Sequence, residues 1–186
     1  MQEKENVLKI LRETKAALED ENGINMKALS DQTVHAASIY QDPDNIIVAV
    51  LVYALSKIIE RRRYRAYPGW KTFMKNYVIC IDKSIAALEE GNEGKFRKEI
   101  KHIRKHINAL SGDFRKHIQD VFIKAQVNKA SRMYEHGISM QRTADLLGIS
   151  TWELAEYAGT TGVADIKVSI TLPEAERMKI AKDIFS

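Results

Sequence analysis

The sequence predicts an all-α protein, with an antiparallel helical bundle body, a C-terminal helix–turn–helix and a short strand-plus-helix tail. Three observations carry that expectation. Apolar residues recur at intervals of three and four along most of the chain, the period of one helix face. The 186 residues hold only three prolines and nine glycines, and several of these stand where the helical pattern breaks. Strict apolar–polar alternation, the mark of a strand, occurs only near the C-terminus, at 166–172.

Taken in order, residues 2–20 carry Val7, Leu8, Leu11, Ala16 and Leu18 as a one-sided stripe, and Gly23 is expected to close that helix. A second helix is expected over 25–40, with Leu29, Thr33, Ala36, Ala37 and Tyr40 facing inward. Asp42-Pro43 then reads as a start signal, because aspartate caps and proline fits the first helical position. The helix it opens, to about Arg63, is apolar nearly all round at first, which marks it as central and buried. Tyr67-Pro68-Gly69 breaks the pattern. A long helix follows over 70–90, with Phe73, Met74, Tyr77, Val78, Ile81, Ile85 and Leu88 on one side.

Gly91 and Gly94 are expected to separate it from a helix in which Phe96, Ile100, Ile103, Ile107 and Leu110 form a narrow packing seam. Ser111-Gly112-Asp113 turns the chain, Asp113 is a candidate cap, and a further helix runs to about Glu135. The short loops imply antiparallel neighbours, so 70–135 reads as an up-down-up array of three helices. The expected organisation is a helical body over 1–127, with 1–66 and 67–127 as subdomains, a module over 128–165 and a tail over 166–186.

An apolar fraction of 45% supports a packed core. The single cysteine, Cys80, has no internal disulfide partner and reads as a small buried hydrophobe. The N-terminal stretch is charged and amphipathic, unlike a signal peptide, and the apolar run 46–55 is well short of the ~20 residues of a membrane span. The expectation is a cytoplasmic protein with no membrane contact and no cofactor.

The net charge of +4 is modest, but basic residues are concentrated. Residues 57–75 hold Lys57, Arg61, Arg62, Arg63, Arg65, Lys71 and Lys75 against Glu60. Residues 95–124 hold Lys95, Arg97, Lys98, Lys101, Arg104, Lys105, Arg115, Lys116 and Lys124 against Glu99, Asp113 and Asp120. Such runs either attract polyanions or form solvated helix faces. Arg61, Arg62, Arg63, Arg65, Lys101, Arg104 and Lys105 are the candidate basic surface. His102 and His106, four apart on one helix, with His117 across the turn and Asp120, form a weaker candidate for a metal site, opposed by the cations beside them. Among the motifs sought there is no glycine-rich phosphate loop and no nucleophile in a suggestive setting, so the chain is expected not to be an enzyme.

The stretch SMQRTADLLGISTWELAEYAG, 139–159, has the layout of a helix–turn–helix. Ser139 is placed to cap the first helix, Ala144 to let two helices cross closely, Gly148 to make a left-handed turn, and Ser150 or Thr151 to cap the second helix. Leu154 and Tyr157 are spaced to turn back on the first. Over 129–164 the chain resembles the helix–turn–helix antitoxins of prokaryotic toxin–antitoxin pairs. The matching features are Tyr134-Glu135-His136-Gly137, Ile138-Ser139, the run Ala144-Asp145-Leu146-Leu147-Gly148-Ile149-Ser150, then Trp152-Glu153-Leu154 and Ala158-Gly159.

The resemblance implies a regulatory binding protein whose module binds DNA or assembles a complex, while a separate segment binds a partner protein such as a nuclease toxin encoded nearby. Gln141, Arg142, Thr143, Ser150, Thr151, Trp152 and Glu156 are the candidate DNA contacts. From Met133 to Asp165 the module is acidic, with Glu135, Asp145, Glu153, Glu156 and Asp165 against Arg142, so phosphate-neutralising charge has to come from the basic helices or from a homodimer. In the tail, Ile166, Val168, Ile170 and Leu172 form the strand pattern, and Met178, Ile184 and Phe185 the apolar face of a final helix. A strand needs pairing partners, which makes the tail a candidate partner-binding or dimer-forming segment. The alternative is a nucleic-acid-binding protein that works through the basic stretches 57–75 and 95–124, or a helical enzyme holding metal on its histidines.

Overall fold

The buried apolar faces are satisfied by helix-on-helix packing throughout. The computed structural model describes residues 1, 3–147, 150–152, 154 and 155, and among these every regular element is helical. The order is α1 (Lys4–Glu19), α2 (Gly23–Tyr40), α3 (Pro43–Glu60), a 3-10 turn (Arg62–Ala66), α4 (Trp70–Glu89), α5 (Glu93–Asn108), α6 (Gly112–Glu135) and α7 (Met140–Leu147). No helix among the described residues is long and apolar enough to cross a membrane.

The central helix is α3, as its all-round apolar sequence predicts. Asp42 caps it by accepting from the Asp44 amide at 2.9 Å, and Pro43 stands in its first turn. Ile46, Val48, Ala49, Ala54, Leu55 and Ile58 are wholly buried. Each large one contributes roughly 1.5–3 kcal/mol of transfer free energy. Neighbours pack on several sides. Helix α2 returns along it, with Ser30 Oγ donating to the Ala49 carbonyl at 2.7 Å, and the Tyr77 hydroxyl of α4 donates to the Leu51 carbonyl at 3.0 Å. Asp44 accepts a two-pronged bond from Arg97 of α5, Nε–Oδ1 3.0 Å and Nη2–Oδ2 2.7 Å, which holds the guanidinium above its ordinary range and places an anion at the positive end of α3. Helices α4 and α5 form the expected antiparallel hairpin, with Asn76 donating to His106 Nδ1 at 3.2 Å.

Several expectations are corrected. Gly23 does not close α1; it opens α2, with Asn22 capping by accepting from the Asn25 amide at 2.9 Å. The left-handed turn falls on Glu21, at φ 51°. A Cβ at 23 would lie 3.0 Å from Glu60 Cγ, so a larger residue would displace the Glu60 side chain where α2 passes the end of α3. Tyr40 faces solvent, not the core. Helix α3 stops at Glu60, before the 3-10 turn. Gly94 lies in the first turn of α5, behind the Asn92 cap, and Asp113 lies inside α6 rather than capping it. The three-helix array over 70–135 does not form as drawn, because α6 touches α5 lightly and packs chiefly against α3. It also runs unbroken through 127–128, where body and module were expected to divide.

Candidate nucleic-acid interface

The 3-10 turn and the start of α6 are far apart in sequence but share one aromatic cluster. Tyr64 and Phe114 are buried. The Tyr67 ring stacks on Phe114 at 5.3 Å and 12°, and Tyr64 stacks on His117 at 5.8 Å and 22°. Trp70 and Phe73 close on Phe114 at 6.3 and 5.9 Å. Leu110, at the end of α5, reaches within 3.9 Å of where a side chain on Gly69 would begin. The ends of the two basic stretches therefore meet at one end of the molecule: the 3-10 turn and first turns of α4 from one, the end of α5 and start of α6 from the other.

Many cations of the two basic stretches are already neutralised, Arg65 of the 3-10 turn and Lys116 at the start of α6 among them. Lys57 pairs with Glu60, Arg65 with Glu21, Lys95 with Glu90, Arg97 with Asp44, Lys116 with Asp113 and Lys124 with Asp120. Others around the aromatic cluster are left unpaired. Arg61, Arg62, Arg63, Lys71, Lys75, Arg104, Lys105 and Arg115 at this end, and Lys98 and Lys101 farther back along α5, make no ion pair among the described residues. Arg61 donates to the Tyr64 hydroxyl at 2.8 Å, and Arg61 and Arg63 lie over the Tyr64 ring at 5.7 and 5.6 Å. These contacts hold the guanidinium groups in place without cancelling their charge. On α5, Lys101, Arg104 and Lys105 occupy the face opposite buried Ile103 and Ile107. Unpaired cations thus lie on the 3-10 turn, the start of α4, the end of α5 and the start of α6, the elements that meet at the ring cluster.

The three histidines do not converge. His102 pairs with Glu99 on its own helix at 3.1 Å, His106 faces Asn76 of α4, and His117 lies on the tyrosines. No group of three metal-ligating side chains occurs among the described residues. Cys80 is buried, and burial pushes its thiol above the ordinary range.

In the module, Ser139 caps α7, its Oγ accepting from the Arg142 amide at 3.2 Å. Ala144, Leu147 and Leu154 are buried, and the Leu154 amide donates to the Ser150 carbonyl at 3.3 Å, a helical turn. Gln141, Arg142, Ser150 and Trp152 are exposed, and Thr151 is half-buried. Gln141 is bonded to Asp145 and Arg142 to Gln41 of the α2–α3 turn. Thr143 is a correction: it is wholly buried, so it cannot touch a phosphate. Gly148, Ile149, Glu153, Glu156, Tyr157 and the tail residues Ile166, Val168, Ile170, Leu172, Met178, Ile184 and Phe185 lie outside the described residues. The turn at 148, the strand and the final helix therefore rest on sequence alone.

Comparison with known proteins gives no relative: no family model fits the chain, and neither a curated protein nor a solved structure matches it.

Two features escaped the sequence reading. Lys71 and Lys75, counted in the basic run 57–75 but left out of the candidate basic surface, stand one turn apart on α4, a spacing that marks them as a pair. Lys129 is fully buried, its ammonium 2.7 Å from Asp31 of α2 and 4.2 Å over the Tyr53 ring of α3. A lysine between Asn128 and Ala130 offers no local sign of that.

Proposed function

We propose that this chain binds nucleic acid through the cationic surface formed by the 3-10 turn, the start of α4, the end of α5 and the start of α6. The observation that carries this reading is the meeting of unpaired cations from two distant stretches over one buried ring cluster. A set of merely solvated helix faces needs no such common base. Phosphate binding by fixed cations releases counterions, so affinity falls steeply with salt. Substituting Arg62, Arg63, Arg104 and Lys105 with glutamine is expected to reduce the slope of log K against log salt by about three to four and to weaken binding at least tenfold near physiological salt. Fluorescence anisotropy with a labelled oligonucleotide at a series of salt concentrations measures both. An unchanged slope would remove the proposal.

A second reading is favoured by Trp152, which is 78% exposed beside the buried Leu154. A large exposed indole on a docked helical turn suits a protein contact. In this reading 139–159 is an antitoxin-type regulatory module, and the tail 166–186 grips a partner protein. Co-expression with the product of the neighbouring gene is expected to yield a complex that survives gel filtration. Deletion of 166–186 is expected to abolish it; an intact complex after deletion would show that the tail is not the grip.

A further inference from the structure

We infer that the groove between α1 and α4 binds an unpaired nucleobase, so that the nucleic acid held by this protein is single-stranded. The inference rests on the reading of the cationic surface given above. The groove has a volume of about 470 Å3, within the range of roughly 300–1,000 Å3 of small-molecule sites. Its walls include Ile59, Met74, Ile79 and the half-buried Trp70. The Trp70 ring is held at 6.3 Å and 57° to Phe114, so the groove shares the rigid base of the cationic surface. An indole fixed in this way is a stacking platform for any base.

The apolar lining decides which part of a nucleotide enters, because Leu18, Ile59, Trp70, Met74, Val78 and Ile79 suit a base and not a phosphate. The charged groups of the lining offset one another: Lys15 and Glu19 of α1 with Glu21 of the turn after it on one side, Lys75 of α4 on the other. The Lys15–Asp82 pair, at 2.7 Å, joins the two helices beside it, and Glu21 is tied to Arg65 at 2.8 Å. Glu19, without an ion pair among the described residues, accepts hydrogen bonds from exocyclic amino groups. Lys71 and Lys75, without ion pairs among the described residues, attract the phosphates that lie outside. Base inward and backbone outward is the arrangement of a single strand; a duplex keeps its bases turned away. Glu19 therefore favours bases bearing an amino group, adenine, cytosine and guanine, over thymine or uracil.

The chain has two tryptophans, so Trp152→Phe leaves Trp70 as sole reporter. This variant of the full chain is titrated with an adenine-rich strand of about 12 nucleotides, in deoxyribose and ribose forms, within the usual site sizes. The comparison ligands are an all-thymine strand, an abasic strand of equal phosphate number, a blunt duplex, and adenosine monophosphate. The adenine strand is expected to quench Trp70 fluorescence and bind at least fivefold tighter than the abasic strand, with all-thymine between them. The tighter of the two sugar forms names the source. The duplex is expected to bind without quenching, and the mononucleotide far more weakly.

Ile79→Asn, at a partly exposed position that carries no charge, is expected to erase the advantage of bases over abasic sites while leaving abasic affinity unchanged. Equal affinity for the adenine and abasic strands, with no quenching, would overturn the groove assignment and leave the cationic surface standing. Mononucleotide binding as tight as the strand would overturn the strand assignment. Salt-dependent binding by none of the polymers would overturn both readings together.

Discussion

Phe114→Ala is expected to cost about 3–5 kcal/mol of folding free energy, the range for removing a buried phenyl ring. The upper part of that range is the sensible expectation, because four other rings pack on this one. Tyr67 stacks on it, and Tyr64, Trp70 and Phe73 meet it at steep angles between 5.9 and 6.3 Å. Those rings belong to the 3-10 turn, the turn after it and α4, so the cavity cannot collapse from one side alone. For a chain of this length the loss is roughly 10 °C or more in Tm. Phe114→Leu, which keeps most of the volume, is expected to cost about 1.5 kcal/mol or less. Urea unfolding measures both. The same variant is expected to weaken oligonucleotide binding well below its own Tm, because the cations of the 3-10 turn lose their fixed positions. A loss below about 1 kcal/mol for the alanine variant would mean that the ring cluster does not clamp α6 to the turn.

The expectations that proved reliable were local ones. Asp42-Pro43 placed the start of α3 because cap and first turn are set by adjacent residues. The burial of α3 followed from its own composition, and the α4–α5 hairpin from a short connection between two one-sided helices. What failed depended on distant residues. Gly23 looked like a stop because glycine ends helices; it instead opens α2, where a Cβ would crowd the Glu60 side chain, thirty-seven positions on. Loop length made α6 a neighbour of α5, yet α6 follows the larger apolar surface of α3. Thr143 was assigned outward from its place in a motif, and the packing turned it inward. The candidate site divides the same way. Sequence showed the basic runs as charge, but which cations stay unpaired, and that Tyr64 and Tyr67 rest on Phe114 and His117, depends on contacts across some fifty residues.

Lys129 supplies the second large effect, and its sign differs with the partner removed. The ammonium is wholly buried, bonded to Asp31 and placed over Tyr53, with Lys27 and Arg132 adding repulsion. Burial pushes its pKa below the ordinary 10.5, and Asp31 opposes that shift without cancelling it. Asp31→Ala leaves a buried cation with no counterion and is expected to cost about 2 kcal/mol or more. That is below the roughly 3–5 kcal/mol of a fully buried pair, since Asp31 is half-exposed and water reaches it. Lys129→Met fills the same space without charge and leaves Asp31 hydrated. It is expected to be as stable as the parent at pH 7, or more so.

The pH dependence separates this from a packing effect. Between the lowered folded value and 10.5 the unfolded chain binds the lysine proton more tightly than the folded one, so stability rises with pH across that window. Tyr77 acts in the opposite direction. Its burial raises the phenol pKa, so the folded state keeps a proton that the unfolded chain loses above about 10. Subtracting the Lys129→Met curve from the parent curve cancels Tyr77 and is expected to leave only the rise. A flat difference from pH 7 to 10.5 would mean that Lys129 carries its charge as easily inside the protein as in water, and the seam of α6 on α2 and α3 would then owe nothing to this ion pair.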